Sequence, residues 1–185
     1  MNIPNVITLV RLVSVPVIIW LILQNRMDYA FGLFMLAGIS DAIDGPLARH
    51  FGTVSELGTT LDPIADKALL VSIYITLGIQ GGMPSWIVIT VVSRDVLIVG
   101  GILLAYLLDK PIKIEPLLVS KINTASQIAL AAMVLFNIGF SGRAALIDAW
   151  VIDVMVIIVA VTTVLSGTLY ALTWIRAMAV HGDSA

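Results

Sequence analysis

The sequence contains no cysteine, which excludes disulfides and thiolate metal sites. Histidine is nearly as scarce, with only His50 and His181 present, too few for a histidine-based metal centre. His50 follows Arg49 at an expected helix end and reads as a surface residue. Charge is thin as well: charged residues make up 12% of the chain, and the net charge is −2. Charges so few and so local say little about partners, and no nucleic-acid partner is expected. There is no internal repeat and no low-complexity tract. The start, MNIPNVITLVRLVSVP, has no basic leader before its apolar run and carries Arg11 within it. The first helix is therefore read as retained rather than cleaved.

Apolar residues fill the space that charge leaves. Of the 185 residues, 59% are hydrophobic, and the mean hydropathy is +1.06. This balance points to a polytopic, all-α membrane protein. Six segments are long enough for a bilayer, which needs about 20 residues per helix. They lie near 8–25, 28–49, 62–81, 84–108, 119–140 and 147–175. A short interfacial piece, NIPN, precedes the first. The breaks QNRMD, GIQGGMPS, DKPIKIEP and GFSGRAAL are short and carry Gly, Pro, Asn and polar residues. A single membrane domain is expected over 1–178, followed by a disordered tail at 179–185. With six spans both termini share a side. Arg49, Lys110, Lys113, Lys121 and Arg176 cluster there, against Arg26 and Arg143 opposite. The excess of basic residues makes that side cytoplasmic, as in a bacterial cytoplasmic membrane.

Within this apolar sequence, residues 41–66 read DAIDGPLARHFGTVSELGTTLDPIAD. Asp41 and Asp44 are three apart, and Asp62 and Asp66 are four apart; either spacing puts both carboxylates on one helical face. Two such helices facing each other would gather four negative charges where charge is costly. A divalent cation with oxygen ligands is the natural counter-charge. Gly45, Ala48 and Gly58 offer almost no side chain, so a bulky ligand could lie against bare backbone. The competing reading makes the aspartates caps and turn residues. Asp62 before Pro63 does resemble an N-cap with proline in the first turn. That reading leaves Asp41 and Asp44, late in an apolar run, without an explanation.

Other polar residues stand inside the spans. Arg94 and Asp95 fall in VVSRDVLIVGG, either lining a functional interior or locking one helix to another. Gly100 and Gly101 on the same helix read as a close-packing patch. Lys121 opens SKINTASQ, with Asn123, Thr124, Ser126 and Gln127 close behind. Lysine at a helix end commonly snorkels, yet with these neighbours it also suits a pocket for an anionic head group. Asn5, Thr8 and Arg11 are spaced three apart along one face of the first segment. Asp153 lies toward the far end of the sixth segment and is assigned no role.

The 41–66 stretch matches D-x2-D-G-x2-A-R-x8-G-x3-D-x3-D at every position: Asp41, Asp44, Gly45, Ala48, Arg49, Gly58, Asp62 and Asp66. By that signature the chain resembles the CDP-alcohol phosphotransferases. In this family a CDP-lipid or CDP-alcohol gives up its phosphoryl-linked half to an alcohol and releases CMP. The resemblance implies that Asp41, Asp44 and Asp62 are metal ligands. It gives Asp66 both metal contact and the general-base role, with Mg2+ or Mn2+ as two ions. It places Gly45, Ala48, Arg49 and Gly58, with Asn5 and Thr8, beside the CDP-lipid. Arg94, Lys121 and Asn123 then become the candidate acceptor-binding residues. NIPNVITLVRL, SRDV and SKINTASQ are similar to the cardiolipin synthases of CDP-diacylglycerol-dependent type, over most of residues 2–130. The expected reaction joins the phosphatidyl group of CDP-diacylglycerol to phosphatidylglycerol. Phosphatidylglycerophosphate synthases, which use glycerol 3-phosphate, share NIPN, the arginine–acid pair and the lysine, and form the alternative. The resemblance further implies a homodimer among membrane lipids. From another class, a non-catalytic lipid-binding or transport protein would suit six charged spans, but would not require this aspartate set.

Overall fold

The computed structural model describes residues 3–50, 56–107, 118–141 and 146–182, with side chains placed at 10–40, 67–101, 118–141 and 146–173. Among the described residues the elements are all helical: α1 Ile3–Leu23, α2 Met27–His50, α3 Glu56–Ile79, α4 Ser85–Leu107, α5 Leu118–Phe140 and α6 Ala149–Gly182. The expected bounds hold to within a few residues except at three ends. α1 starts at Ile3, so NIPN is not a separate interfacial piece; Pro4 falls in the first turn, where its missing N–H costs nothing. α3 starts at Glu56 rather than at residue 62, because the polar turn ELGTT is helical without being apolar. α6 runs to Gly182, past the expected start of a tail at 179. Two helices, Leu118–Phe140 and Ala149–Thr173, are long and apolar enough to cross a membrane by length and composition among the described residues.

Specific residues stop the helices. Asn25 adopts a φ of 56°; Asn25 N donates to Ile22 O at 2.9 Å and Arg26 N to Leu21 O at 2.9 Å. This is a Schellman termination, with asparagine in the left-handed position that it tolerates. Gly81, with a φ of 75°, closes α3 in the same way: Gly82 N donates to Leu77 O at 2.8 Å and Gly81 N to Gly78 O at 3.2 Å. After α5, Asn137 Oδ1 accepts from the backbone N–H groups of Leu146 (3.1 Å) and Ile147 (3.0 Å), tying down the start of the sixth segment.

The helices close into a ring. α1 packs on α2, α2 on α5, α5 on α6, α6 on α4, α4 on α3 and α3 back on α1, while α3 also touches α5 across the middle. Successive helices alternate in direction. One end of the bundle therefore holds the α1–α2, α3–α4 and α5–α6 turns, and the other holds the 41–66 signature. At the turn end, Gln80 Nε2 reaches Leu23 O at 3.4 Å. Phe31 of α2 packs tilted against Phe136 and edge-on against Phe140 of α5, at centroid separations of 5.4 and 5.9 Å. The core follows helical spacing: Ala30, Phe34 and Ala37 on α2; Ile73, Tyr74 and Leu77 on α3; Leu130, Val134 and Leu135 on α5.

The tightest crossing lies where α5 ends against the start of α2. A Cβ at Gly139 would stand 2.6 Å from Asp28 N and 2.8 Å from Met27 C. Both are backbone atoms that cannot swing aside. Gly100, by contrast, has nothing within 4 Å, so that half of the expected packing patch makes no such contact among the described residues. Gly139→Leu should force α2 and α5 apart, at a cost of about 1–3 kcal/mol, and lower the thermal unfolding midpoint in detergent. Gly32→Ala, where nothing lies within 4 Å, should leave the midpoint unchanged or raise it slightly. Equal midpoints for the two variants would contradict this packing.

Candidate functional site

Both halves of the aspartate signature lie on helices. Asp41 and Asp44 belong to the last part of α2, and Asp62 and Asp66 to the first part of α3. The expected one-face spacing thus rests on helical backbone at both pairs. With α3 beginning at Glu56, Asp62 and Pro63 fall inside the helix, and the N-cap reading of Asp62 is set aside. The side chains of 41–66, including Gly45, Ala48, Arg49 and Gly58, lie outside the described residues, as do those of Asn5 and Thr8. As a donor set, four carboxylates without cysteine or histidine suit a hard divalent cation such as Mg2+ or Mn2+. Among the described residues no three acidic or histidine side chains come together, so these offer no competing centre.

The interior changes character toward this end. Near the turns the buried faces are apolar: Ile18 and Ile22 on α1, Ile87 and Val91 on α4, Leu130 and Val134 on α5, Val156 and Val159 on α6. Following the same faces toward the signature, the buried residues become Ser14 and Arg11 on α1, and Arg94 and Asp95 on α4. On α5 they become Gln127, Ser126 and Asn123, and on α6 Thr163 and Ser166. Four helices make the switch at matching heights, which one capping residue would not require.

An ion cluster anchors this polar half. Asp95, 2% exposed, accepts from Lys67 Nζ at both carboxylate oxygens, at 2.9 and 3.0 Å. It also accepts from Arg94 Nη1 at 2.6 Å. Arg94 Nη2 in turn donates to Ser120 Oγ at 2.7 Å and Ser166 Oγ at 2.5 Å. The guanidinium stands 5.8 Å from the Tyr170 ring centroid, a weak cation–π distance. One carboxylate on α4 thus connects α3 directly, and α5 and α6 through Arg94. The geometry realises the helix-locking reading of Arg94 and Asp95. It also brings the guanidinium to Ser120, beside Lys121.

A turn further along α5, Asn123 is wholly buried. Its Oδ1 accepts from Thr162 Oγ1 at 2.9 Å and Thr163 Oγ1 at 2.8 Å, while its Nδ2 has no partner. Gln127 is also fully buried, with neither end of its amide partnered; Tyr74 OH donates to its backbone oxygen at 3.1 Å. Lys121 is exposed. Of the expected acceptor residues, Arg94 and Asn123 therefore share the interior, and Lys121 stands outside it at the same end. Asp153 is exposed near the start of α6, at the opposite end from the signature. Sequence reasoning missed Lys67 altogether. Its one signal was position, directly after Asp66 and on a predicted span, where an unpaired cation would be costly.

The chain matches the family model described as CDP-alcohol phosphatidyltransferase over residues 1–180. It is 33% identical over 147 residues to a cardiolipin synthase (CMP-forming) of Rattus norvegicus, covering 71% of this chain and 49% of that protein. A probable cardiolipin synthase (CMP-forming) of Drosophila melanogaster is 37% identical over 145 residues, or 70% of this chain and 45% of the relative. A chloroplastic CDP-diacylglycerol–glycerol-3-phosphate 3-phosphatidyltransferase of Oryza sativa is 35% identical over 156 residues, or 74% and 47%. The chain spans about half the length of these curated relatives.

Proposed function

The chain belongs to the CDP-alcohol phosphatidyltransferase family, and on that premise we propose that it moves the phosphatidyl group of CDP-diacylglycerol onto phosphatidylglycerol, giving cardiolipin and CMP. The observation that carries this reading is the switch from apolar to polar buried residues on α1, α4, α5 and α6 toward the end holding the aspartate signature. A pyrophosphate-bearing lipid has an apolar tail and a charged head, and such an interior meets the head while the outer faces meet the tail. Leu36, Ile89, Leu97, Ile157 and Val164 are large, apolar and more than half exposed. In water such faces would be a liability; in lipid they are ordinary. All six helices, at 21 to 34 residues, are long enough for a bilayer core of about 30 Å, so we read the chain as a six-span membrane protein. From the excess of basic residues on one side we read the termini and the site as facing the cytoplasm, as in a bacterial cytoplasmic membrane. A homodimer remains part of this proposal.

The chemistry is substitution at phosphorus. A hydroxyl oxygen of phosphatidylglycerol attacks the phosphorus that carries diacylglycerol. The phosphoanhydride bond to CMP breaks, and CMP leaves with that bond's electron pair. Asp66 takes the hydroxyl proton as general base, which requires it within hydrogen-bond reach of the attacking oxygen. Asp41, Asp44, Asp62 and Asp66 would hold the divalent ions. Bound there, Mg2+ or Mn2+ supplies charge neutralisation for the pyrophosphate. Gly45, Ala48 and Gly58 leave room for cytidine, and Arg49, Asn5 and Thr8 hold the nucleotide-lipid. Arg94 and Asn123 face the acceptor from the interior and Lys121 from the rim.

Two cations with several neutral polar groups suit a phosphodiester better than the nearly dianionic glycerol 3-phosphate, whose site should gather more basic residues. The rat and fly relatives support the same acceptor, while the rice relative supports the alternative, phosphatidylglycerophosphate synthesis. A lipid-binding or transport role finds no support among the relatives described. Purified protein given CDP-diacylglycerol with each acceptor in turn should make cardiolipin from phosphatidylglycerol; phosphatidylglycerophosphate alone would promote the alternative. Asp66→Asn should lower kcat by two to four orders of magnitude, on the order of what general-base catalysis supplies, while the protein still binds Mn2+. Near-normal turnover in that variant would remove Asp66 from the base role. Gly45→Leu and Ala48→Leu should raise KM for CDP-diacylglycerol, and an unchanged KM in both would return them to helix packing.

A further inference from the structure

Asp95 is the most fully engaged acidic side chain among the described residues. It belongs to none of the catalytic or binding roles assigned above. Its carboxylate receives Lys67 Nζ on both oxygens, at 2.9 and 3.0 Å, and Arg94 Nη1 on one of them at 2.6 Å. Each cation leads to a different part of the site. Lys67 is the residue after Asp66 on α3, so fixing its ammonium fixes the helical turn that carries the proposed base. Arg94 runs on to Ser120 at 2.7 Å and Ser166 at 2.5 Å, which aims the guanidinium at the start of α5, beside Lys121. Asp95 itself is 2% exposed and Arg94 4%, so water does not compete for either, and a charge so placed is strongly orienting.

We propose that Asp95 is a positioning residue that sets both halves of the reaction site at once: the base side through Lys67, and the acceptor side through Arg94 and its two serines. This rests on the phosphatidyltransferase reading and adds to it a division of labour inside one ion cluster. Neither Lys67 nor Asp95 need touch substrate. The acceptor's phosphodiester is the anion that Arg94 would receive, and its remaining capacity includes Nε, which has no partner. A cluster that merely holds helices together would weaken everything in proportion to folding. A positioning cluster must separate the kinetic constants according to which arm is cut.

The experiment measures kcat and KM for both substrates on purified full-length protein, with thermal unfolding midpoints alongside. Lys67→Met keeps the stem and removes the ammonium. It should lower kcat while leaving the acceptor KM within about twofold. Ser120→Ala/Ser166→Ala frees Arg94 Nη2 and should raise the acceptor KM about tenfold with kcat little changed. Asp95→Asn should do both, with a fall in kcat/KM on the order of a hundredfold, the scale of a misplacement of about 1 Å. If Asp95→Asn fails to fold, the contrast between Lys67→Met and the serine pair still decides the matter. Identical kinetic changes in those two, or losses that simply track the unfolding midpoint, would overturn the proposal. Absence of CMP release by the unaltered protein with either acceptor would instead contradict the underlying phosphatidyltransferase reading.

Discussion

A buried carboxylate shared between two cations is the constraint from which the rest of this bundle can be understood. Asp95 ties α4 to α3, and without Lys67 and Arg94 it would be an isolated charge in an apolar medium, a condition that costs several kcal/mol. The pairing therefore dictates which faces of α3 and α4 must meet. Arg94, carrying hydrogen bonds to Ser120 and Ser166, extends the requirement to α5 and α6. Directional contacts matter more here than burial, because apolar faces slide past one another at little cost whereas these hydrogen bonds do not. The threonine pair on Asn123 repeats the tie one turn further along the α5–α6 interface.

The apolar half, from Ile18 and Ile22 through Leu77, Ile87 and Leu135, is packed closed, and the polar groups gather at the other end of the ring. Close backbone approach at Gly139 and the phenylalanine cluster between α2 and α5 hold the turn end shut. Outside, large apolar residues such as Leu36, Ile89 and Leu97 line the exposed faces. A substrate that is half lipid and half nucleotide suits a protein with that division, and the family membership agrees with it.

Much of the helical layout was legible because an apolar run of about 20 residues is a strong signal and the breaks carry recognisable residues. Asn25 and Gly81 end helices where left-handed backbone is needed, as their residue types suggest. The two late starts have related causes: ELGTT is helical but not apolar, and Pro4 and Asn5 interrupt the apolar run ahead of Val6, so a hydropathy reading starts too late at both. At the site, the aspartate spacing was legible because helical period 3.6 is written into it. Lys67 was not, since a lysine reads as a rim residue until the facing helix is known. Arg94 and Asp95 were visible as charges, yet neighbours one apart on a helix do not ordinarily face each other. Their contact depends on the long arginine side chain and on Lys67 arriving from α3. Gly139 was equally silent, because close approach is a property of two helices together.

The central claim is that the signature end is a metal-dependent phosphatidyl-transfer site, and release of CMP from CDP-diacylglycerol by the purified protein tests it most directly. With phosphatidylglycerol present and Mg2+ or Mn2+ added, CMP should appear, stop on addition of excess chelator and resume when the ion is restored. Turnover that continues undiminished in excess chelator would contradict the account.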